Sequence, residues 1–136
     1  DVFPLGDTTI TFTATDAAGN SGTAQTVVIV ALDVVAPELT VPASISLNVD
    51  MPGDVVASSD AAIVAFLAGA TATDNRDGDV TSSITNDAPA EFVVGETIVI
   101  FTVADAIGNT SNGTESVTNE GLDTDADGLT DFSESL

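Results

Sequence analysis

The residues of this sequence that could do chemistry are almost all carboxylates. The chain has 22 Asp and Glu residues against a single basic residue, Arg76. It has no Cys and no His, which excludes thiol nucleophiles, Ser-His-Asp triads and the usual ligands of zinc and copper. Carboxylate and carbonyl oxygens remain, and these are the ligands of hard cations such as calcium. The densest group of carboxylates is the segment DTDADGLTDFSE, at residues 123–134.

The spacing of acids in residues 123–134 resembles the EF-hand-type loop, D-x-D-x-D-G-x5-E, and the thrombospondin type 3 calcium repeats of bacteria. The resemblance implies six ligands around one calcium ion, which are Asp123, Asp125, Asp127, Leu129 through its backbone carbonyl, Asp131 and Glu134. Five carboxylates this close repel one another unless a divalent ion lies among them. The alternative is a flexible acidic tail without a bound ion.

The elements that position the other acids are found through an internal repeat. TFTATDAAGN at residues 11–20 returns as IFTVADAIGN at residues 100–109, and residue 3 aligns with residue 92. Over residues 3–20 this alignment, an offset of 89, gives 9 identities in 18 positions without a gap. A period near 90 residues matches one β-sandwich module, so the sequence predicts tandem modules.

Each copy of the repeat has the period-2 alternation of a half-buried strand. In the first copy the alternation assigns Ile10, Phe12 and Ala14 to a core, and in the second copy the inward positions are those of residues 99, 101 and 103. The ending D-x-x-G-N suits a turn, because an Asp carboxylate can accept turn N–H groups while Gly and Asn tolerate positive φ. Further strands are predicted at residues 25–32, 44–49 and, more weakly, 114–118. A short edge strand is predicted between Pro37 and Pro42.

The predicted fold is all-β, an Ig-like antiparallel β-sandwich in tandem modules, with three segments. Residues 1–33 contain the last two strands of one module, residues 34–120 form a complete module, and residues 121–136 form the calcium loop. Two strands cannot bury their own apolar face. We therefore expect the first piece to be completed by upstream sequence or by strands of a neighbouring molecule.

Residues 1–120 resemble the hyalin-repeat (HYR) and related bacterial Ig-like modules of large surface proteins. The resemblance is carried by TATDNRDGDVT at residues 71–81 and by the two strands that end in D-x-x-G-N. It implies Ig-like sandwiches repeated in tandem in extracellular or cell-surface proteins with adhesive or stalk roles. Animal hyalin repeats usually carry cysteines, so the absence of Cys favours the bacterial versions.

A second calcium site is predicted where one module joins the next. In an Ig-like sandwich the loop after the second strand and the loop before the last strand lie at the same end, next to the incoming linker. The acids of these three segments are Asp33, Glu38, Asp74, Asp77 and Asp105. The alternative is ordinary turn chemistry, with Asp105 bonded to backbone N–H groups and Arg76 paired to a neighbouring Asp. Asp16 has the corresponding position in the first copy.

Two features bear on packing and assembly. The segment SSDAAIVAFLAG at residues 58–69 could form a short helix capped by Ser59 or Asp60, or another strand, and we expect part of each.

Ile98 and Ile100 are outward positions of the second copy, where the first copy has Thr9 and Thr11. Outward isoleucines indicate a cover, either the segment 58–69 or another subunit that completes the sheet.

Composition narrows the function further. A net charge of −21 repels nucleic acid and anionic membranes, and no apolar run is long enough to span a bilayer. Catalysis is not expected, because paired carboxylates that cleave glycosides need substrate-positioning aromatics and this chain has no Trp or Tyr.

The sequence predicts a calcium-stabilised, non-enzymatic segment of a bacterial secreted or cell-surface protein, such as an adhesin stalk or fibre subunit. Its expected partners are calcium ions and neighbouring modules or copies of the same protein. The alternatives are an accessory module of a large secreted enzyme and a module that binds glycan or another ligand.

Overall fold

A computed structural model describes residues 2–49 and 53–121 of the chain. The chain divides into two compact units, Asp1–Val34 and Val35–Leu136. Among the described residues no helix is long and apolar enough to cross a membrane. Both units are built from strands, which confirms the predicted all-β fold.

The first unit is one antiparallel hairpin. Strand β1 (Gly6–Thr15) pairs with β2 (Ser21–Val30) along its whole length, from Gly6 opposite Val30 to Thr15 opposite Ser21. Thr, Val and Ile dominate both strands, as expected for extended segments with β-branched side chains.

The apolar face of this hairpin lacks a core within its own unit. Phe12 is 61% exposed, and Ala14 is exposed as well, while Ile10 is half-buried. The alternation that assigned these three residues to a core therefore identifies a face of the hairpin and not a buried interior. Two strands bury too little surface to enclose a phenylalanine, which is the physical reason for the difference.

The second unit contains nine strands, one α-helix and a 3₁₀ turn among its described residues. In chain order they are β3 (Glu38–Thr40), β4 (Ile45–Asn48), β5 (Val56–Ala57), α1 (Ala61–Leu67), β6 (Thr71–Asp74), β7 (Gly78–Asp79), the 3₁₀ turn (Thr81–Ser83), β8 (Thr85–Asn86), β9 (Glu91–Phe92), β10 (Gly95–Ala104) and β11 (Thr110–Glu120). One sheet has the order β4-β11-β10-β8, a second has the order β3-β6-β7, and β5 pairs with β9. The pairs are antiparallel except β11 with β4, which is parallel.

The core of the second unit contains the inward face of β10. Val99, Phe101 and Val103 are 0–1% exposed, as the alternation predicts. Phe101 lies edge-on to Phe66 of α1, with ring centroids 5.8 Å apart. Such an arrangement adds to the free energy gained by burying both rings. Val117 of β11 and Phe92 of β9 belong to the same buried cluster as Phe101 and Phe66.

Within residues 58–69, helix α1 occupies Ala61–Leu67 and no strand is present. The Asp60 carboxylate accepts the N–H of Ala62 at 2.9 Å, which caps the helix as one of the two predicted residues. Ile63 and Phe66, three residues apart, are buried on the inward face of α1. The helix does not cover Ile98 and Ile100, which stay 52% and 42% exposed.

One strand differs from the sequence prediction. Strand β11 is continuous over Thr110–Glu120, where only a weak strand at residues 114–118 was predicted. Its polar residues pair with β10 in the same register that β2 has with β1. The acidic segment after β6 is a tight turn, in which Asp74 pairs with Gly78 between β6 and β7. Gly78 has a φ of +77°, which other residues adopt at a cost.

Candidate metal centre

The predicted site residues fall into two groups. The tail ligands Asp123, Asp125, Asp127, Leu129, Asp131 and Glu134 all lie outside the described residues, so that loop stays a prediction. The other group, Asp33, Glu38, Asp74, Asp77 and Asp105, lies within them, and the second unit contains four of its five members.

Asp74 is the last residue of β6 and is buried. Its Oδ1 accepts the backbone N–H groups of Arg76 at 2.8 Å and Asp77 at 2.9 Å, which fixes the turn into β7. Its Oδ2 is buried without a hydrogen-bond partner among the described residues. An unpartnered, buried carboxylate oxygen is costly, so Asp74 has a free acceptor that a cation would satisfy.

Asp105 follows β10 and organises the D-x-x-G-N turn. Its Oδ1 accepts the N–H groups of Ile107, Gly108 and Asn109 at 2.7–2.9 Å, and its Oδ2 accepts the Asn109 side-chain amide at 2.6 Å. Burial raises the pKa of Asp105, but these hydrogen bonds outweigh it and hold the pKa below its usual value. Asp105 is therefore ionised at neutral pH.

The fold brings these two buried carboxylates together. One carboxylate oxygen of Asp74 lies within 4.8 Å of one of Asp105, although 31 positions separate the two residues in the chain. A calcium ion holds its oxygen ligands at about 2.3–2.6 Å, so two ligands of one ion lie at most about 5 Å apart. The separation therefore fits a shared cation.

Asp77 connects the two turns directly. Its Oδ2 accepts the N–H of Ala106 at 2.7 Å, and its own N–H donates to Asp74. Asp77 is exposed and already engaged by Ala106. The structure thus gives Asp77 a contact that orients the turns, which the sequence did not reveal because Ala106 contributes only its backbone.

Glu38 lies near Asp74 but is exposed on the edge strand β3. A recess of about 250 Å³ is lined by Val35, Ala36, Glu38, Thr73, Asp74 and Asn75. Glu38 pairs in register with Thr73, the neighbour of Asp74. Glu38 is not among the carboxylates of the described residues that lie within 4.8 Å of one another, so its role as a ligand stays a prediction.

Asp33 belongs to the first unit and lies in the segment between β2 and β3, where it is buried. A role for Asp33 as a further ligand stays a prediction.

The turn chemistry foreseen as the alternative to calcium is present at both copies of the repeat. Asp16 accepts the N–H groups of Ala18 and Asn20 and the Asn20 side-chain amide at 2.8–2.9 Å. The side-chain and backbone hydrogen bonds from Asn20 hold the pKa of Asp16 below its usual value. The two functions are compatible, since a carboxylate has about four acceptor positions and the turn uses only some of them.

One buried polar residue was missed by sequence reasoning. Asn119 in β11 is 1% exposed, and its side-chain amide donates to the Phe92 carbonyl at 2.9 Å. The inward period of β11 marks this position, but an asparagine at a strand end looks like a surface residue in the sequence. Its contact joins β11 to β9 beside the core.

The comparisons place the chain beside hyalin. It is 35% identical to hyalin of Lytechinus variegatus over 125 residues, and 36% identical to hyalin of Strongylocentrotus purpuratus over 129 residues. Each alignment covers 91% of this chain but only 22% and 10%, respectively, of the two relatives. The similarity supports the hyalin-repeat-like module inferred from the motifs.

Comparison with family models and with solved structures identifies no further family for this chain. No protein-family model matches the chain. A solved structure, described as CBM51-2 in complex with GlcNAc and INT domains from Clostridium perfringens ZmpB, aligns with 61% of this chain and 16% of its own. The sequence identity is 23% and the TM-score is 0.42.

Proposed function

We propose that this chain is a non-enzymatic, calcium-stabilised structural segment of an extracellular or cell-surface protein, of the adhesin-stalk or fibre type. The observation that carries the proposal is the repeated hairpin, since β1 and β10 with their following turns share sequence, and β1–β2 and β10–β11 share one register, at an offset of 89 residues. Tandem repetition of one module is how extended proteins gain length. The similarity to hyalin over most of the chain supports an extracellular, adhesive setting.

Calcium has a physical role in a chain with a net charge of −21. Acids that are close together repel one another, and this self-repulsion opposes a compact state until cations neutralise it. The tail loop at residues 123–134 and the acids around Asp74 and Asp105 are the two groups where a divalent ion would bring the largest relief. Sites with dissociation constants of about 10⁻⁴–10⁻³ M are typical of extracellular modules and suit a protein that need not switch.

Self-association is part of the proposal. The first unit exposes apolar residues of a hairpin with open edges, including Phe12, Val27 and Ile29. The second unit exposes Ile98 and Ile100 on β10. Exposed apolar faces on strands favour contact with another module or subunit, and exchange of a strand between copies is the form that completes a sheet. A bacterial source, which the absence of Cys favours, also stays a prediction.

The described carboxylates support structure more directly than catalysis. Asp16, Asp60, Asp74 and Asp105 each accept backbone N–H groups of their own turn or helix start. A glycosidase would need two carboxyl groups across a cleft that holds the sugar. Here the acids cap turns, and the chain has no Trp or Tyr to stack on a sugar.

Thermal melting and light scattering, first with calcium at about 1 mM and then with excess chelator, test the proposal. We expect calcium to raise the melting temperature, because an ion that binds only the folded state stabilises it by mass action. Magnesium at the same concentration is the control for general screening of charge. A melting temperature and a particle size that are the same in calcium and chelator would refute the calcium mechanism.

A further inference from the structure

We infer that Asp74 and Asp105 form a second calcium-class site within the second unit, separate from the tail loop, and that Asp77 positions the two turns that carry it. The inference rests on the proposed function, since it specifies where calcium acts. It depends on residues that converge in the fold and not on the acidic segment near the C-terminus.

The carboxylate oxygens of Asp74 and Asp105 have unused capacity to accept a cation. Both residues are more than nine-tenths buried, and Asp74 leaves its buried Oδ2 without a hydrogen-bond partner among the described residues. Asp105 keeps acceptor capacity at Oδ2, since its oxygen accepts one N–H from Asn109 and a carboxylate oxygen has two lone pairs. Turn N–H groups hold the Oδ1 atom of each residue, so the two carboxylates are fixed before an ion arrives.

The negative charges of Asp74 and Asp105 also favour a bound cation. Two carboxylates whose oxygens lie within 4.8 Å repel each other strongly in a buried setting, unless one takes a proton or a cation lies with them. A cation between the two carboxylates would relieve this repulsion and would occupy the free Oδ2 acceptor of Asp74.

The class of cation follows from the donor atoms. The site offers oxygen ligands only, and the chain has no Cys or His to attract zinc or copper. Two carboxylates leave most of the coordination shell to carbonyls and water, which calcium tolerates because its geometry is flexible. Magnesium demands octahedral geometry and loses its water reluctantly, so we expect it to bind more weakly.

Asp77 has the contacts of a positioning residue. Its backbone N–H donates to Asp74 while its Oδ2 accepts from Ala106, so one residue ties the turn after β6 to the turn after β10. The link crosses 29 positions of sequence and lies beside both proposed ligands. Its removal should loosen the relative placement of Asp74 and Asp105 without removing either carboxylate.

Calcium titration by calorimetry on the full chain tests the site, with Asp123, Asp125 and Asp127 each changed to Asn to silence the tail. We expect this tail-silenced chain to bind about one calcium ion at roughly 10⁻⁴–10⁻³ M. Asp74→Asn on this background should weaken binding at least about tenfold, since it removes a charged ligand of the ion. Asn keeps the Oδ1 acceptor for the turn, so the variant should fold. Glu96→Gln, an exposed acid of the same unit, is the matched control and should leave affinity unchanged.

The outcomes separate this inference from the proposed function. If the wild-type chain binds calcium and the tail-silenced chain does not, the tail loop is the calcium site and the second site is refuted. Equal affinity of the tail-silenced chain with and without Asp74→Asn refutes it as well. If neither the wild-type nor the tail-silenced chain binds, the calcium part of the proposed function fails with it.

The role of Asp77 is tested on the same background with two variants. Asp77→Asn retains an acceptor oxygen for the Ala106 N–H, whereas Asp77→Ala removes it. We expect Ala to weaken calcium binding about tenfold and Asn to restore most of the affinity, with both variants folded by circular dichroism. Equal losses in the two variants would assign the effect to the lost charge and overturn the positioning role.

Discussion

The two hairpins of this chain have nearly the same local structure and opposite surroundings. Strands β1–β2 and β10–β11 match pair for pair at an offset of 89 residues, and both close with an Asp that accepts turn N–H groups. Yet Phe12 is 61% exposed while its equivalent, Phe101, is fully buried. Local sequence therefore specifies the hairpin, whereas burial depends on elements outside it, namely α1, β9 and the strands before them.

The largest difference in stability between the two hairpins is expected at these two phenylalanines. Phe101→Ala should destabilise the second unit by about 3–5 kcal/mol, because it removes a buried ring and leaves a cavity against Phe66. Phe12→Ala should change stability by less than about 0.5 kcal/mol, as is usual for an exposed position. Urea unfolding of each variant, followed by circular dichroism, measures both values. Similar losses at the two sites would show that the first hairpin is packed in solution, for example against another copy.

The next effect concerns how closely the second sheet approaches the hairpin. A Cβ placed on Gly113 would lie 2.8 Å from Cγ1 of Val41 and 3.7 Å from Cδ2 of Leu39. The equivalent residue of the first hairpin is Ala24, opposite Phe12 just as Gly113 is opposite Phe101. Gly113→Ala should therefore cost about 1–3 kcal/mol through overpacking, whereas the first hairpin already has a methyl group at the exposed Ala24.

A double variant isolates the cause of that cost. Val41→Ala makes room for the new methyl group, so Gly113→Ala should be less harmful in the Val41→Ala background than alone. Urea unfolding of the four chains gives the coupling energy, which we expect to be about 0.5–3 kcal/mol for residues in contact. Strictly additive effects would place the cost in the strand backbone and not in contact with Val41.

The features that the sequence predicts are those that depend on residues nearby in the chain, and the features it misses depend on distant partners. Alternation and turn residues predicted β10 with its inward Val99, Phe101 and Val103 and the turn that holds Asp105. A helix capped by Asp60 was one of the alternatives for residues 58–69. These features depend on neighbours in the chain. The contacts that were missed depend on a partner far away: Asp77 meets a backbone N–H 29 positions on, and Asn119 meets a carbonyl of β9. Composition gives no signal for either, because the partner atom is backbone in both cases.

The parallel pairing of β4 with β11 was missed for a related reason. Strand β4 has four residues, and its position beside Val117 and its successors depends on the packing of the whole unit. Local pattern fixes which residues of a short strand face inward but does not fix its neighbour or direction. The full length of β11 was also missed, because the strand is mostly polar and one of its two buried residues, Asn119, is polar as well.

The smallest effect on stability is expected on the outward face, where the two hairpins also differ. The second hairpin exposes Ile98 and Ile100 on β10, opposite Ser116 and Thr114, whereas the first has Thr at both equivalent positions and exposes Val27 and Ile29 on β2 instead. Each hairpin thus retains one outward pair of β-branched apolar residues, on opposite strands. Strand propensity alone would account for such pairs, and so would a face that contacts another subunit.

Exchange of these outward residues decides between strand propensity and assembly. Ile98→Thr with Ile100→Thr should change the free energy of unfolding by less than about 0.5 kcal/mol, because Thr is also β-branched and the site is exposed. If the face is an interface, the double variant should reduce particle size in light scattering at equal concentration, and the reciprocal Thr9→Ile with Thr11→Ile should not restore it. Unchanged particle size in a folded variant would remove the isoleucines from assembly and leave them as strand-forming residues, which would make the outward faces of the two hairpins equivalent after all.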